Sequence, residues 1–574
     1  MSIRINSPVN QLLLAFLAAA SLSFSGCGSG SSIHHSIPAT QSYNIAGTVT
    51  GLSGSGLVLE VNGGNNLPVS ANGSFAFTTP ISSGDAYMVT ILTQPSNPAQ
   101  SCIVLNPGGV AGSSMSSVQV TCAAVSFPPT QIPSAPGQWT WMAGSDLANV
   151  AGAYGLLGTA APGNAPGARD ASAGWPDAQG NLWLFGGTVP VGIGCATTHA
   201  LCWIVSDYFD DLWEFNGSEW AWMGGSNAPN QPAAYGTKGV AAPGNNPGSR
   251  SGAASSTDSS GNFWLFGGEV FNSNNSGQMF DDLWKYSDGQ WTWVSGSSAG
   301  SQIGVYGTLG QAAPGNVPGA RASAVAWTDP AGNLWLFGGS GGDSTECCET
   351  NLNDLWKFNV SEGEWTWVSG SNIGDQQGVY GTLGQAAFGN VPGSRQGAVA
   401  WTDAQGNLWL FGGYGLAGGS GGQLNDLWKF SGGEWTWVSG SNVIRQPGVY
   451  GVQGTPAPGN VPGTRESAMS WTDAAGNFWL FGGFGYDSTG AMGDLNDLWK
   501  YSGGQWTWVS GSNIVNQSGS YGILGTPSSA NVPGARDTAQ TWIDPSGNLW
   551  LFGGNIPGPN DLQAQLNDLW VYQP

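Results

Sequence analysis

Cys195, His199 and Cys202 have types and spacing that suit either a metal or a disulfide. Cys-x3-His-x2-Cys offers three ligands, one short of a closed structural zinc site, and an oxidising compartment favours pairing of the two thiols. Cys347 and Cys348 are adjacent. Neighbouring Cα atoms lie about 3.8 Å apart, below the usual disulfide span, so cross-pairing with Cys195 and Cys202 stands open beside a vicinal bond. Asp207, Asp210, Asp281, Asp343, Glu346, Asp487 and Asp561 are available for the general-acid and general-base work of glycoside hydrolysis, but nothing singles out two of them. A Ser–His–Asp arrangement is not supportable, because His34 and His35 lie near the N-terminus and leave only His199. No metal and no cofactor is expected.

These residues sit between segments that recur. From residue 137 onward one unit repeats six times. Trp-x-Trp begins at Trp139, Trp220, Trp291, Trp365, Trp435 and Trp506, and an Arg follows 30 residues after each start, at Arg169, Arg250, Arg321, Arg395, Arg465 and Arg536. The first Gly of Phe-Gly-Gly comes 17 residues after each Arg, and Asp-Leu-Trp closes the pattern at Trp213, Trp284, Trp356, Trp428, Trp499 and Trp570. Each unit holds four strand-like runs, exemplified by 322–327, the unbroken apolar Leu334–Phe337, 354–358 and 365–368. Four strands in about 70 residues predict an all-β fold, a β-propeller of six blades. The last unit lacks its own fourth strand, while an orphan Trp139-Thr140-Trp141 precedes the first. The strand at 138–142 is therefore expected to complete the last blade and remove a sheet edge. Arg, Lys285, Lys357, Lys429 and Lys500 recur at fixed places and read as structural.

The double Gly after an apolar strand, followed by an aromatic and then Trp, as from Trp213 to Trp220, resembles the kelch repeat over about 435 residues. The same repeat builds the central propeller of galactose oxidase and the six-bladed sialic-acid epimerases. That resemblance raises copper-radical chemistry, which needs two His and two Tyr with a Cys–Tyr crosslink. Three histidines in all, two of them near the N-terminus, cannot supply that site. An epimerase-like activity is implied as well, without a matching cluster of basic loop residues.

Loop length locates function better than the constant positions do. The segment between Phe-Gly-Gly and Asp-Leu-Trp varies most, and blade one carries the longest, 188–210. In a propeller these loops converge on one face, where a rigid scaffold presents variable residues. Trp203, the one Trp of 30 outside a repeat position, lies in that insertion with Tyr208. With Tyr414 and Tyr486 in other variable loops, they are the candidate ligand contacts.

Arg4, the apolar run 12–24 and Ser25-Gly26-Cys27 resemble a bacterial lipoprotein signal, with Cys27 as the lipidated residue of the mature chain. The expected organisation is a signal peptide at 1–26, a flexible tether at 27–41, a small Ig-like or transthyretin-like β-sandwich at 42–123, a Pro-rich linker at 124–137 and the propeller at 138–574. Export makes disulfides available to the six remaining cysteines: Cys102, Cys122, Cys195, Cys202, Cys347 and Cys348. Cys102 and Cys122 are expected to staple the sandwich. A net charge of -22 excludes nucleic acid as a partner. The sequence thus reads as a monomeric lipoprotein of the bacterial cell envelope, held to a membrane by its lipid alone, that binds a glycan or an envelope protein. A carbohydrate-active enzyme on the same face is the alternative.

Overall fold

The computed structural model describes residues 41–52, 56–93, 95, 100–112, 118–124, 135–195, 202–271, 277–345, 350–558 and 563–574, with backbone alone at 100–101, 123–124, 193–195 and 202–203. All regular structure among these residues is β, arranged in many small sheets, an architecture consistent with a β-propeller.

Residues 42–124 form two four-stranded sheets. One runs Gly73–Ala76, Ala46–Thr50, Val118–Ala124, Gln100–Leu105, and the other Gly64–Val69, Leu57–Val61, Ala86–Thr93, Gly108–Val110. Alternate residues of Leu57–Val61 point inward, and Leu57, Leu59, Val89, Val118 and Val120 are at most 1 % exposed in a shared apolar core. Cys102 and Cys122 face each other across the antiparallel pair and are bonded. Replacing both with serine should destabilise this core by about 2–4 kcal/mol. Calorimetry should then show an earlier transition for residues 42–124 and an unmoved transition for the repeats.

Each repeat folds as a four-stranded antiparallel sheet. The third runs Val325–Thr328, Leu334–Phe337, Leu355–Asn359, Glu364–Ser369. The first hairpin is fixed by its turn. Asp329 accepts from the amides of Ala331 and Asn333 and from the side chains of Asn333 and Trp335, while Gly332 holds φ at +81° where a side chain would be strained. The second strand is buried or half-buried at every position, which explains its unbroken apolar run. In the fourth strand Trp365 packs on Phe266 of the preceding unit, and Trp367 meets Tyr306. In the last unit the fourth place is taken by Trp139–Ala143, which pairs antiparallel with Gln563–Tyr572. The outer edges are covered too. Ala312–Ala313, from the connection entering the third unit, pairs with that unit's fourth strand, and single bridges Ala242–Trp291, Ala387–Trp435, Ala457–Trp506 and Ser528–Trp139 repeat the device.

The first strands lie side by side in chain order, Ala173–Pro176, Ala254–Thr257, Val325–Thr328, Val399–Thr402, Met469–Thr472 and Gln540–Ile543, and the last lies against the first. Just ahead of them runs a circle of backbone hydrogen bonds. Gly252 donates to Ala171, Ser323 to Gly252, Gly397 to Ser323, Ser467 to Gly397, Thr538 to Ser467, and Ala171 to Thr538, at 2.7–3.0 Å. All six residues have φ between +49° and +64°.

The repeating Arg anchors each unit. Arg395 gives Nη1 and Nη2 to the two carboxylate oxygens of Asp426 at 2.6 and 2.8 Å, and also bonds the carbonyls of Gly412 and Gly393. Asp426 further accepts from Tyr380 Oη and Trp428 Nε1, both at 2.7 Å. Burial first, then the adjacent Asp426 carboxylate, raises the Tyr380 phenol above its ordinary range, so it stays a donor. Arg169–Asp211, Arg250–Asp282, Arg321–Asp354, Arg465–Asp497 and Arg536–Asp568 repeat this pair. The one cluster thus explains four invariant residues of the unit. Lys357, Lys429 and Lys500 lie 3.4–3.8 Å from the turn aspartates and about one-third exposed, where an ion pair adds little.

Candidate functional site

One residue before each member of the hydrogen-bonded circle, the units differ. Asp170, Ser251, Ala322, Gln396, Glu466 and Asp537 occupy this place. Each opposes the residue after Phe-Gly-Gly, namely Thr188, Glu269, Ser340, Tyr414, Phe484 and Asn555. Those in turn oppose Tyr208, Met279, Asn351, Gln423, Asp494 and Gln565. Antiparallel register therefore brings three variable positions per unit to the mouth beside the circle.

Carboxylates gather on one side of this mouth. Burial, then the Asp537 charge, pushes Asp170 up to about 7. Burial raises Glu466 to about 7, with Asp537 adding to it, although Gln423 Nε2 donates to Glu466 Oε1 at 2.9 Å. Asp494 and Asp537 are both displaced upward, burial being the main cause for both and the Asp537 charge the second for Asp494. Thr538 Oγ1 donates to Asp537 Oδ1 at 3.0 Å. Gln565 Nε2 lies 3.5 Å from Asp170 Oδ2 and 3.4 Å from Asn555 Oδ1. Asp170 Oδ1, Asp494 Oδ1 and Gln565 Oε1 have no donor among the described residues. Glu269, raised to about 7 by burial, continues the acidic lining, and Tyr208 feels both it and Asp170.

Of the candidate contacts, Tyr208 and Tyr414 stand at this mouth, Tyr208 being 6 % exposed. Tyr486 lies farther along its hairpin, opposite Met492. Trp203 lies opposite Gly194 in the hairpin formed by Thr188–Cys195 and Cys202–Tyr208, and its indole is outside the description. The same register sets Cys195 opposite Cys202. Cys27, His34, His35, His199, Glu346, Cys347, Cys348 and Asp561 lie outside the described residues.

The remaining loop carboxylates serve their own loops. Asp343 accepts from Thr345 and the Gly374 amide, Asp487 from Thr489, Ala491 and Val515. Asp210 and Asp281 accept the amides of Ser226 and Ser297, a place that Asn353, Asn425 and Asn496 fill in later units. Asp207 accepts from Asn230 at 2.8 Å. The clustered group is thus a different set, Asp170, Glu466, Asp494, Asp537 and Gln565, which sequence reasoning passed over. The available signal was the position after each Arg, which changes type from unit to unit. Among the described residues no group of three or more His, Cys, Asp and Glu has the geometry to hold a metal ion, and nothing at the mouth fits a copper site.

No family model matches this chain, and no curated protein matches it. Among solved structures one match is "Structure of YjhT", 14 % identical, covering 71 % of this chain and 95 % of that one with a TM-score of 0.39. At that level the likeness carries no argument about ligand or activity. The chain is an all-β protein of repeated small sheets with one described disulfide, Cys102–Cys122.

Proposed function

We propose that this chain is an exported, lipid-anchored protein of the bacterial envelope, with a small β-sandwich ahead of a six-bladed propeller of kelch type closed by its N-terminal strand. Its propeller binds a glycan at the mouth beside the hydrogen-bonded circle. The observation that carries this reading is the convergence of carboxylates, side-chain amides and aromatic rings there, with three buried or half-buried acceptors lacking donors. Such a set suits sugar hydroxyls, which both donate and accept.

A glycan array with the purified protein tests it. At least one oligosaccharide class should bind, and Gln565→Ala should weaken that binding about tenfold, more than any accompanying fall in melting temperature accounts for. Failure of every glycan, with an envelope protein captured instead, would overturn the glycan reading.

The Asp494–Asp537 pair favours one second reading, a carbohydrate-active enzyme. Two interacting buried carboxylates, both displaced upward, suit general-acid and general-base chemistry. Turnover of the bound oligosaccharide, abolished in Asp494→Asn, would establish it.

A further inference from the structure

We propose that the mouth takes the ammonium group of a free amino sugar, so that its ligand is a glycan carrying unacetylated amines. This rests on the glycan reading above and narrows it.

The three acceptors without donors are Asp170 Oδ1, Asp494 Oδ1 and Gln565 Oε1. Asp494 is 7 % exposed and Gln565 2 %, and a buried acceptor left unmatched is costly. Gln565 is directed into the cluster, since its amide nitrogen reaches Asp170 and Asn555. An ammonium group has three donors and no acceptor, so it can satisfy unmatched acceptors and adds none.

Charge points the same way. Asp170, Glu466, Asp494 and Asp537 gather where the nearby guanidiniums are already spent. Arg169, Arg465 and Arg536 each grip their own aspartate at 2.6–2.7 Å. Arg445 lies beside Gly422, next to Gln423. A cation entering the mouth therefore favours the ionised form of carboxylates that burial otherwise pushes toward the neutral acid. The described carboxylates do not group as metal ligands. A sugar is favoured over a lysine side chain by the neutral lining, in which the Gln423 and Asn555 amides and the half-exposed Tyr414 and Phe484 rings suit hydroxyls and a sugar face.

Isothermal titration of the purified protein at pH 7 decides the matter, with a glucosamine hexamer, an N-acetylglucosamine hexamer and hexalysine as probes. The glucosamine hexamer should bind at least tenfold tighter than its acetylated counterpart, and more weakly as sodium chloride is raised. Asp170→Asn and Asp494→Asn should each reduce that affinity about tenfold, the loss expected for one charge-assisted contact. The probe comparison and the salt series use unaltered protein, so they stand even where a variant misfolds. Equal binding of the two hexamers would overturn the ammonium inference and leave the glycan reading intact. Binding of neither, or preference for hexalysine, would overturn the ammonium inference, and the glycan reading falls with it only if the full array also fails.

Discussion

Arg395→Ala is expected to lower stability by about 3–5 kcal/mol, the cost of leaving one partner of a buried ion pair behind. Both side chains are fully shielded from solvent. Removing the guanidinium leaves Asp426 with only the Tyr380 and Trp428 donors, and it strips the carbonyls of Gly412 and Gly393 of theirs. Arg395→Lys should recover only part of the loss, because an ammonium cannot span both carboxylate oxygens in a bidentate grip. Lys429→Ala, on a partly exposed ion pair with Asp403, should change stability by less than about 1 kcal/mol. Denaturant unfolding of the three variants gives the comparison. A small effect for Arg395→Ala would mean that the repeating cluster is not what holds the sheets in place.

Deleting residues 137–142 should be more damaging still. Trp139 is 2 % exposed and packs on Phe481, Trp570 and Tyr572. Its carbonyl accepts from Asn531 Nδ2, and that of Trp141 accepts from the Gly525 amide. Losing one buried Trp side chain costs about 3–5 kcal/mol. The deletion also removes the ladder along Gln563–Tyr572, leaving an apolar strand edge open to other chains. The total approaches the whole net stability of a typical domain, about 5–15 kcal/mol. Size-exclusion chromatography should therefore show aggregate, and the main calorimetric transition should be lost. A monodisperse deletion variant with an unchanged melting temperature would sink this account of closure.

The repeats were legible in the sequence because their determinants are invariant and local. Asp329 to Trp335 forms one turn from its own side chains, and Arg395 finds Asp426 at nearly the same separation as Arg465 finds Asp497. The orphan Trp139-Thr140-Trp141 announced the pairing with Gln563–Tyr572 for the same reason. The mouth was not legible in this way. Asp537 and Glu466 differ from their counterparts Ala322 and Ser251, so recurrence gives no cue, and Asp494 and Gln565 come from separate strands that only the hairpin register brings beside them. Carboxylates such as Asp343 and Asp487 looked equally available in the chain, yet short loops turn them onto backbone amides. Composition reports how many acids there are, whereas pairing decides which ones are deprived of donors.

The joining of the first repeat strand to the last sets when the molecule can fold. Asn531 and Trp139, in contact across that seam, are separated by 392 residues. A contact between such distant positions carries a large loop-closure entropy and lies late on any folding route. During synthesis the earlier sheets can form one by one, but Trp139–Ala143 has no strand to pair with until Gln563–Tyr572 has been made. Until then its indoles stay exposed. The repeats can accordingly complete their structure only after the whole chain has been made.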